Sequence, residues 1–297
     1  MKLHFPAALL AALLAGSQAC AQMMLPGALQ ATPEGAAKPP GAPSAEGTSA
    51  PAKPKPVIEK PPSEESIVDR DLLRDGSQGR IAFKRGDGAG TSGAPLEITA
   101  LSLEGEQISH RGETCRVDVV AGAPIEATPA VKTRGLLRFE VGVEACPFAF
   151  DVLDGAILVT GGGASCTFTA ADCRVNPAGL WGPAGASIDD KQIKLFEKAR
   201  GRAEASMRDN FRALLSSPGK DKDAVKKIAA EQAGFSSERE VVCRTYAKED
   251  THGFCALKMT QGRAFALKAQ LQEAGKTQGS GRKGKSARVE APKEPKP

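Results

Sequence analysis

Cysteine placement constrains this chain more than any other feature. Of seven cysteines, Cys20 falls inside residues 1–21, which read as a secretory signal. Lys2 supplies the positive start, residues 6–16 an apolar run too short to cross a bilayer, and Ala19-Cys20-Ala21 a small-residue cleavage site. Cleavage after Ala21 sends the protein to the periplasm or the medium. The rival reading, a lipid-anchored Cys20, fits less well because Ser17 and Gln18 precede it. The remaining cysteines are Cys115, Cys146, Cys166, Cys173, Cys243 and Cys255. An even set in an exported chain predicts disulfides. Six cysteines allow 15 pairings and the sequence does not choose among them. The preferred set joins neighbours: Cys115–Cys146, Cys166–Cys173 and Cys243–Cys255. With no C-x-x-C and three histidines, a zinc site is not expected.

The chain divides by composition. Residues 22–65 are rich in Pro, Ala, Gly and Ser; they bury too little apolar surface to offset ordering and are expected to be a disordered linker. Residues 66–186 alternate apolar and polar. Ile81 and Phe83, Leu96 and Ile98, Cys115 and Val117, Leu137 through Val143, and Phe148 through Val152 lie on period-2 runs, and Asp154-Gly155 separates the last from Ile157 and Val159. This pattern predicts a β-rich domain, an antiparallel sandwich or small barrel. Trp181, near its C-terminal end, is expected to pack at the junction with the next region of the chain.

From residue 187 the period becomes helical. Ser187 with Asp190 reads as an acidic capping box. Ile193, Phe196, Ala199, Ala203, Met207, Phe211 and Leu214 share one face, and Pro218-Gly219 ends the helix. A second helix carries Val225 through Tyr246, and a third starts near Cys255. Residues 187–274 therefore predict three amphipathic helices in a small antiparallel bundle, with Cys243 and Cys255 stapling a helix–loop–helix turn. Residues 275–297 are a basic, low-complexity tail expected to be disordered. The fold class is α+β.

The net charge of +5 is unevenly spread. Residues 66–186 hold eleven Lys/Arg against fifteen Asp/Glu, residues 187–274 seventeen against thirteen, and the tail seven against two. Such a tail could hold anionic envelope polymers or lipid head groups. Nucleic acid is not an expected partner, because the tail lacks stacking aromatics and the chain reads as exported.

Catalytic and cofactor motifs are set aside. Residues 279–286 (GSGRKGKS) match the P-loop letters, but no strand precedes them. Residues 88–93 (GAGTSG) join two predicted strands rather than a strand and a helix. His110, beside Arg111, and His252 read as solvated loop residues, and nothing indicates that Glu113 and Glu144 converge. No enzyme activity, cofactor or metal is expected.

Gln232, Phe235, Arg239, Glu240 and Cys243 follow a Q-x-x-W-x-x-x-R-D-x-x-C helix, and Cys255, Thr260, Arg263 and Leu267 follow a C…T-x-x-R…L helix. Across residues 187–272 this resembles the LprI-type lysozyme inhibitor family. Phe235 stands where that family usually has Trp, Glu240 replaces Asp, and the family's earlier cysteine pair is absent. The resemblance implies an exported helical domain with a Cys243–Cys255 disulfide, and protein–protein binding with lysozyme as partner. The residues have their own physical reading: 232, 235, 239 and 243 share a helix face. Arg239 there should pair with a carboxylate or loop carbonyls, and Gln232 should satisfy loop backbone. The expected function is an exported envelope binding protein. The alternative is a structural or assembly factor binding peptidoglycan or anionic surfaces.

Overall fold

The computed structural model describes residues 61–86, 95–160, 165–219 and 221–283. The expected signal (residues 1–21), residues 22–60 of the expected linker, residues 88–93 and the expected tail beyond residue 283 lie outside the described residues.

Eight antiparallel strands close on themselves. In chain order the strands are β1 (Asp71–Arg74), β2 (Gln78–Arg85), β3 (Leu96–Gln107), β4 (Thr114–Asp118), β5 (Ile125–Thr133), β6 (Leu136–Val141), β7 (Phe148–Leu153), β8 (Ala156–Thr160), β9 (Cys166–Phe168), β10 (Cys173–Val175) and β11 (Gly179–Gly182). The order β2-β1-β11-β8-β7-β6-β5-β3 is closed by β3 pairing back onto β2. Closure leaves the barrel without a free edge. Inside, Phe83, Phe139 and Phe150 pack with centroids 5.4 and 5.5 Å apart, amid Ile81, Ile98, Val152 and Ile157. The expected hairpin at Asp154-Gly155 is present: Leu153 faces Ala156 across the turn, with Gly155 at φ 72°.

The twelve-residue β3 does two jobs. Its first half pairs with β2 and β5 in the barrel. Its second half leaves the barrel, with β4 on one edge and β10 on the other, and β9 beyond β10. Cys115 lies opposite Gly105 on one edge, and Cys173 opposite Gln107 on the other. The strands curl until the two Cα atoms are 5.7 Å apart, and Cys115 bonds Cys173. Gly105 permits the close approach, since a Cβ there would lie 2.0 Å from the Arg174 carbonyl oxygen. The second bridge is Cys146–Cys166.

Two expected pairings, Cys115–Cys146 and Cys166–Cys173, are therefore corrected. Cys166 and Cys173 share the β9–β10 hairpin but face Val175 and Phe168 respectively, not each other. Cys115 is carried to the β10 side by β3, away from Cys146. The third expected bridge, Cys243–Cys255, is present.

The helices are α1 (Asp190–Ser216), α2 (Lys222–Arg244), the short α3 (Glu249–His252) and α4 (Phe254–Lys283). Helix α2 runs antiparallel to α1 and α4: Gln232 reaches Met207, while Gln232 and Arg239 reach Arg263 and Thr260. The capping box at α1 sits two residues later than expected. Asp189 Oδ1 accepts from the Gln192 N–H at 2.8 Å, and Gln192 Oε1 accepts from the Asp189 N–H at 3.0 Å. Ser187 instead closes a one-turn 3-10 segment onto the Ala184 carbonyl. Helix α4 continues to Lys283, so the first residues of the expected tail, 275–283, are helical.

The helices lie on the outer face of the barrel wall. Along β8 and β11 the alternation divides the strands between two cores: Ile157, Val159 and Trp181 point into the barrel, while Leu158 and Leu180 point out to Phe235, Tyr246, Phe254 and Met259. Trp181 thus packs in the barrel, 1% exposed, with its indole N–H donating to the Pro177 carbonyl at 2.9 Å. Its neighbour Leu180 occupies the junction expected for the tryptophan.

Candidate functional site

The family-like positions converge between α2 and α4. Phe235 is 7% exposed, with the guanidinium carbons of Arg239 and Arg263 5.7 and 5.8 Å from its ring centroid. Arg239 Nη1 donates to Thr260 Oγ1 at 3.0 Å, and Thr260 donates to the Ala256 carbonyl at 2.6 Å. Arg263 Nε donates to Gln232 Oε1 at 3.0 Å. Arg239 therefore meets a hydroxyl and a ring rather than the expected carboxylate or loop carbonyls. Gln232 serves a guanidinium rather than loop backbone. Glu240 is not part of the cluster: it is exposed and pairs with Arg244 one turn on, at 3.4 Å. Leu267 is fully buried beyond it on α4. The Cys243–Cys255 bridge borders the cluster. The other four cysteines belong to the β region.

Beside this cluster, between α2, α4 and strands β6–β8, lies a cavity of about 30 Å³. Arg134, Asp151, Glu238 and Arg263 line it together with Leu136, Leu153, Phe235 and Met259. Such a volume accommodates about two water molecules, not a metabolite. Burial pushes the Asp151 carboxyl above its ordinary range, against the pull of Arg138, which donates to it at 2.9 Å. Burial also lowers the Arg263 guanidinium, whose Nη2 is buried without a hydrogen-bond partner in the protein. That guanidinium lies over the Phe235 ring and is also attracted by the Glu231 and Glu238 carboxylates.

The loop joining α2 to α4 is tied to the barrel. Tyr246 donates to the Pro183 carbonyl at 2.7 Å, and the Ala247 N–H donates to the Asp75 carbonyl at 2.8 Å. Glycines make room for this contact: a Cβ at Gly76 or Gly182 would lie 2.8 or 2.7 Å from the Tyr246 side chain. His252 is buried, not solvated as expected. Its Nδ1 accepts from the Phe254 N–H at 3.1 Å, so the ring proton sits on Nε2, 2.9 Å from the Ala247 carbonyl. Glu249 accepts from the Cys255 and Ala256 N–H groups, each at 2.8 Å. Together these side chains satisfy the first donors of α4, which would otherwise be orphaned in an apolar setting. Lys258, 6% exposed, reaches back to Asp154 in the β7–β8 turn at 3.1 Å and lies over the Phe254 ring.

The remaining sequence candidates stay apart. His110 is exposed, with Nδ1 2.9 Å from Ser109 Oγ. The Asp172 carboxylate accepts from the Ser109 hydroxyl and N–H, not from the ring. A carboxylate in that place does not orient the imidazole as a general base. Glu113 and Glu144 are both exposed, and Glu113 belongs to the turn before β4. Residues 279–283 of the P-loop-like stretch continue α4, and a helix cannot cradle phosphate as a loop does. Among the described residues no group of three or more His, Cys, Asp or Glu is placed to hold a metal.

No protein-family model, curated protein or solved structure matches the sequence. Among the described residues, two of the open surface grooves have volumes of about 770 and 700 Å³. The first runs along β6–β8 past Arg138, Glu140 and Phe148 to Cys166. The second, beside Cys115, is lined by Arg74, Arg116 and Arg174 with Glu104 and Glu106.

Sequence reasoning found Gln232, Phe235, Arg239, Thr260 and Arg263 but not the second ring of anchors, Glu249 and Lys258. One signal for Lys258 is present in the chain: it stands in an otherwise apolar stretch, after Ala256 and Leu257 and before Met259.

Proposed function

We propose that this is an exported binding protein of the bacterial envelope that acts by surface contact with another protein, and that lysozyme is the partner. One observation carries the compartment: all six cysteines of the β and helical regions are joined in three bridges, each built into the packing. Among the described residues no helix is long and apolar enough to cross a membrane, which accords with release into the periplasm or the medium.

A surface mode of action is supported by the filling of both interiors. The barrel is packed with side chains, and the barrel–helix junction leaves room only for water. The family-like residues other than Glu240 are engaged with one another, so they hold α2 on α4 and would present a surface rather than contact a partner. The resemblance in α2 and α4 is what points to lysozyme. The exposed carboxylates of the β region, among them Glu106, Glu113, Asp118, Glu126, Glu140 and Glu144, suit encounter with generally basic lysozymes. An inhibitor must occlude a cleft bearing two carboxylates, and the groove lined by Arg74, Arg116 and Arg174 beside Glu104 and Glu106 has guanidinium groups that could meet them. The test is to mix mature protein with lysozymes of several classes and follow lysis of cell walls. Inhibition of at least one class is expected; full lysis at micromolar excess of the protein overturns the lysozyme assignment.

A further inference from the structure

Helix α1 presents opposite chemistries on opposite sides. Its inner face, carrying Ile193, Phe196, Ala203, Met207 and Leu214, is buried or half-buried. Phe196 packs on Phe254 at 5.4 Å, and Asn210 donates to the Ala264 carbonyl at 3.1 Å. The outer face of the first turns carries Lys191, Lys194, Leu195, Lys198 and Arg202, all exposed. At about 100° per residue these five fall within a sector of about 100°, and the rise spreads them over about 16 Å. The acids of the same turns, Asp190 and Glu197, lie about 90° and about 110° round the helix from the centre of that sector. The ion pairs of α1, Arg200–Glu204 and Arg212–Asp209, leave the four cations out.

Leu195 decides the kind of partner. It is 64% exposed in the midst of the cations, one of three large apolar side chains so exposed among the described residues. A phosphorylated polysaccharide would answer the four charges but leave Leu195 in water. An anionic bilayer answers both: head-group phosphates meet the ammonium and guanidinium groups while the leucine enters the interface. We propose that the first three turns of α1 are a docking face for a membrane surface rich in anionic phospholipid. The helix lies on the surface and does not enter it further, because its other side is committed to α4. The inference does not rest on the lysozyme assignment, since it concerns another surface and another ligand.

The test uses the folded mature chain beginning at Gln22 and vesicles of phosphatidylglycerol or of phosphatidylcholine alone, with binding read by co-sedimentation at low and high salt. Binding to phosphatidylglycerol that weakens with salt is expected, with little binding to phosphatidylcholine. The K191Q/K194Q/K198Q/R202Q variant is expected to lose at least about tenfold in partitioning. L195S is expected to lose several-fold with every charge kept. Because all five side chains are exposed, unchanged circular dichroism checks that each variant folds. Absence of binding to phosphatidylglycerol overturns the proposal. So does binding that survives the fourfold change but disappears when residues 284–297 are removed, which places the contact on the tail. If L195S binds vesicles like the parent while soluble polyphosphate competes fully, the face takes polyanions and the bilayer assignment falls.

Discussion

Replacing Trp181 with alanine is expected to cost about 3–5 kcal/mol of stability, the range for removing a large aromatic from a packed core. Trp181 is 1% exposed and holds β11 between β1 and β8, opposite Arg74 and Ile157. Its loss opens a cavity in the barrel and leaves the Pro177 carbonyl without its indole donor. The damage also crosses the wall. Leu180, the preceding residue, packs on the helices, so movement of β11 loosens both cores at once. Trp181→Phe keeps most of the volume and should lose markedly less. Because the chain has a single tryptophan, unfolding of these variants has to be followed by circular dichroism in denaturant. A change below about 1 kcal/mol would show that Trp181 is not packed in the barrel as described.

The Cys115→Ser/Cys173→Ser double variant carries the second large effect. The bridge closes 58 residues of chain, and the loop-entropy relation assigns about 4 kcal/mol to a loop of that length. The Cys243–Cys255 bridge, over 12 residues, is worth about 3 kcal/mol by the same relation. The ranking is therefore a prediction in its own right: denaturant midpoints should fall further for the first pair than for Cys243→Ser/Cys255→Ser. The local consequences differ too. Without Cys115–Cys173, β4 and β10 lose the link that curls them around the outer half of β3. Without Cys243–Cys255, the loop bearing Tyr246 and His252 loses the covalent tie between its two ends and keeps only its hydrogen bonds to the Asp75 and Pro183 carbonyls.

How much of the fold is legible in the sequence depends on how local each signal is. The β7–β8 hairpin is legible, because period-2 alternation and Asp154-Gly155 are short-range instructions. So is α1, whose buried face follows the 3.6-residue repeat. Strand β5 is not: it buries Ala127 but little else along its length and contains Pro129. Strand β3 pairs with β5 only at residues 125–127, so that edge of β5 is free at Pro129, which on its other side lies opposite Phe139 of β6. The outer half of β3 is hidden for a similar reason, since Glu104, Gly105 and Glu106 break the alternation where the strand leaves the barrel. Cysteine pairing depends on which strands flank β3, a nonlocal property that spacing along the chain does not encode. For the helical cluster, spacing puts residues 232, 235, 239 and 243 on one face correctly. The partners of Arg239 and Gln232 escape sequence reasoning because they come from α4, whose register against α2 is set by tertiary packing.

Peptide mapping of the unreduced protein tests the central claim most directly, since compartment, barrel extension and helical turn all depend on the same three bridges. Cys115 should be recovered linked to Cys173, Cys146 to Cys166, and Cys243 to Cys255, with no thiol open to alkylation. Recovery of Cys115 with Cys146 and Cys166 with Cys173 would contradict the strand order around β3, and free thiols at all six positions would remove the basis for placing the protein outside the cytoplasm.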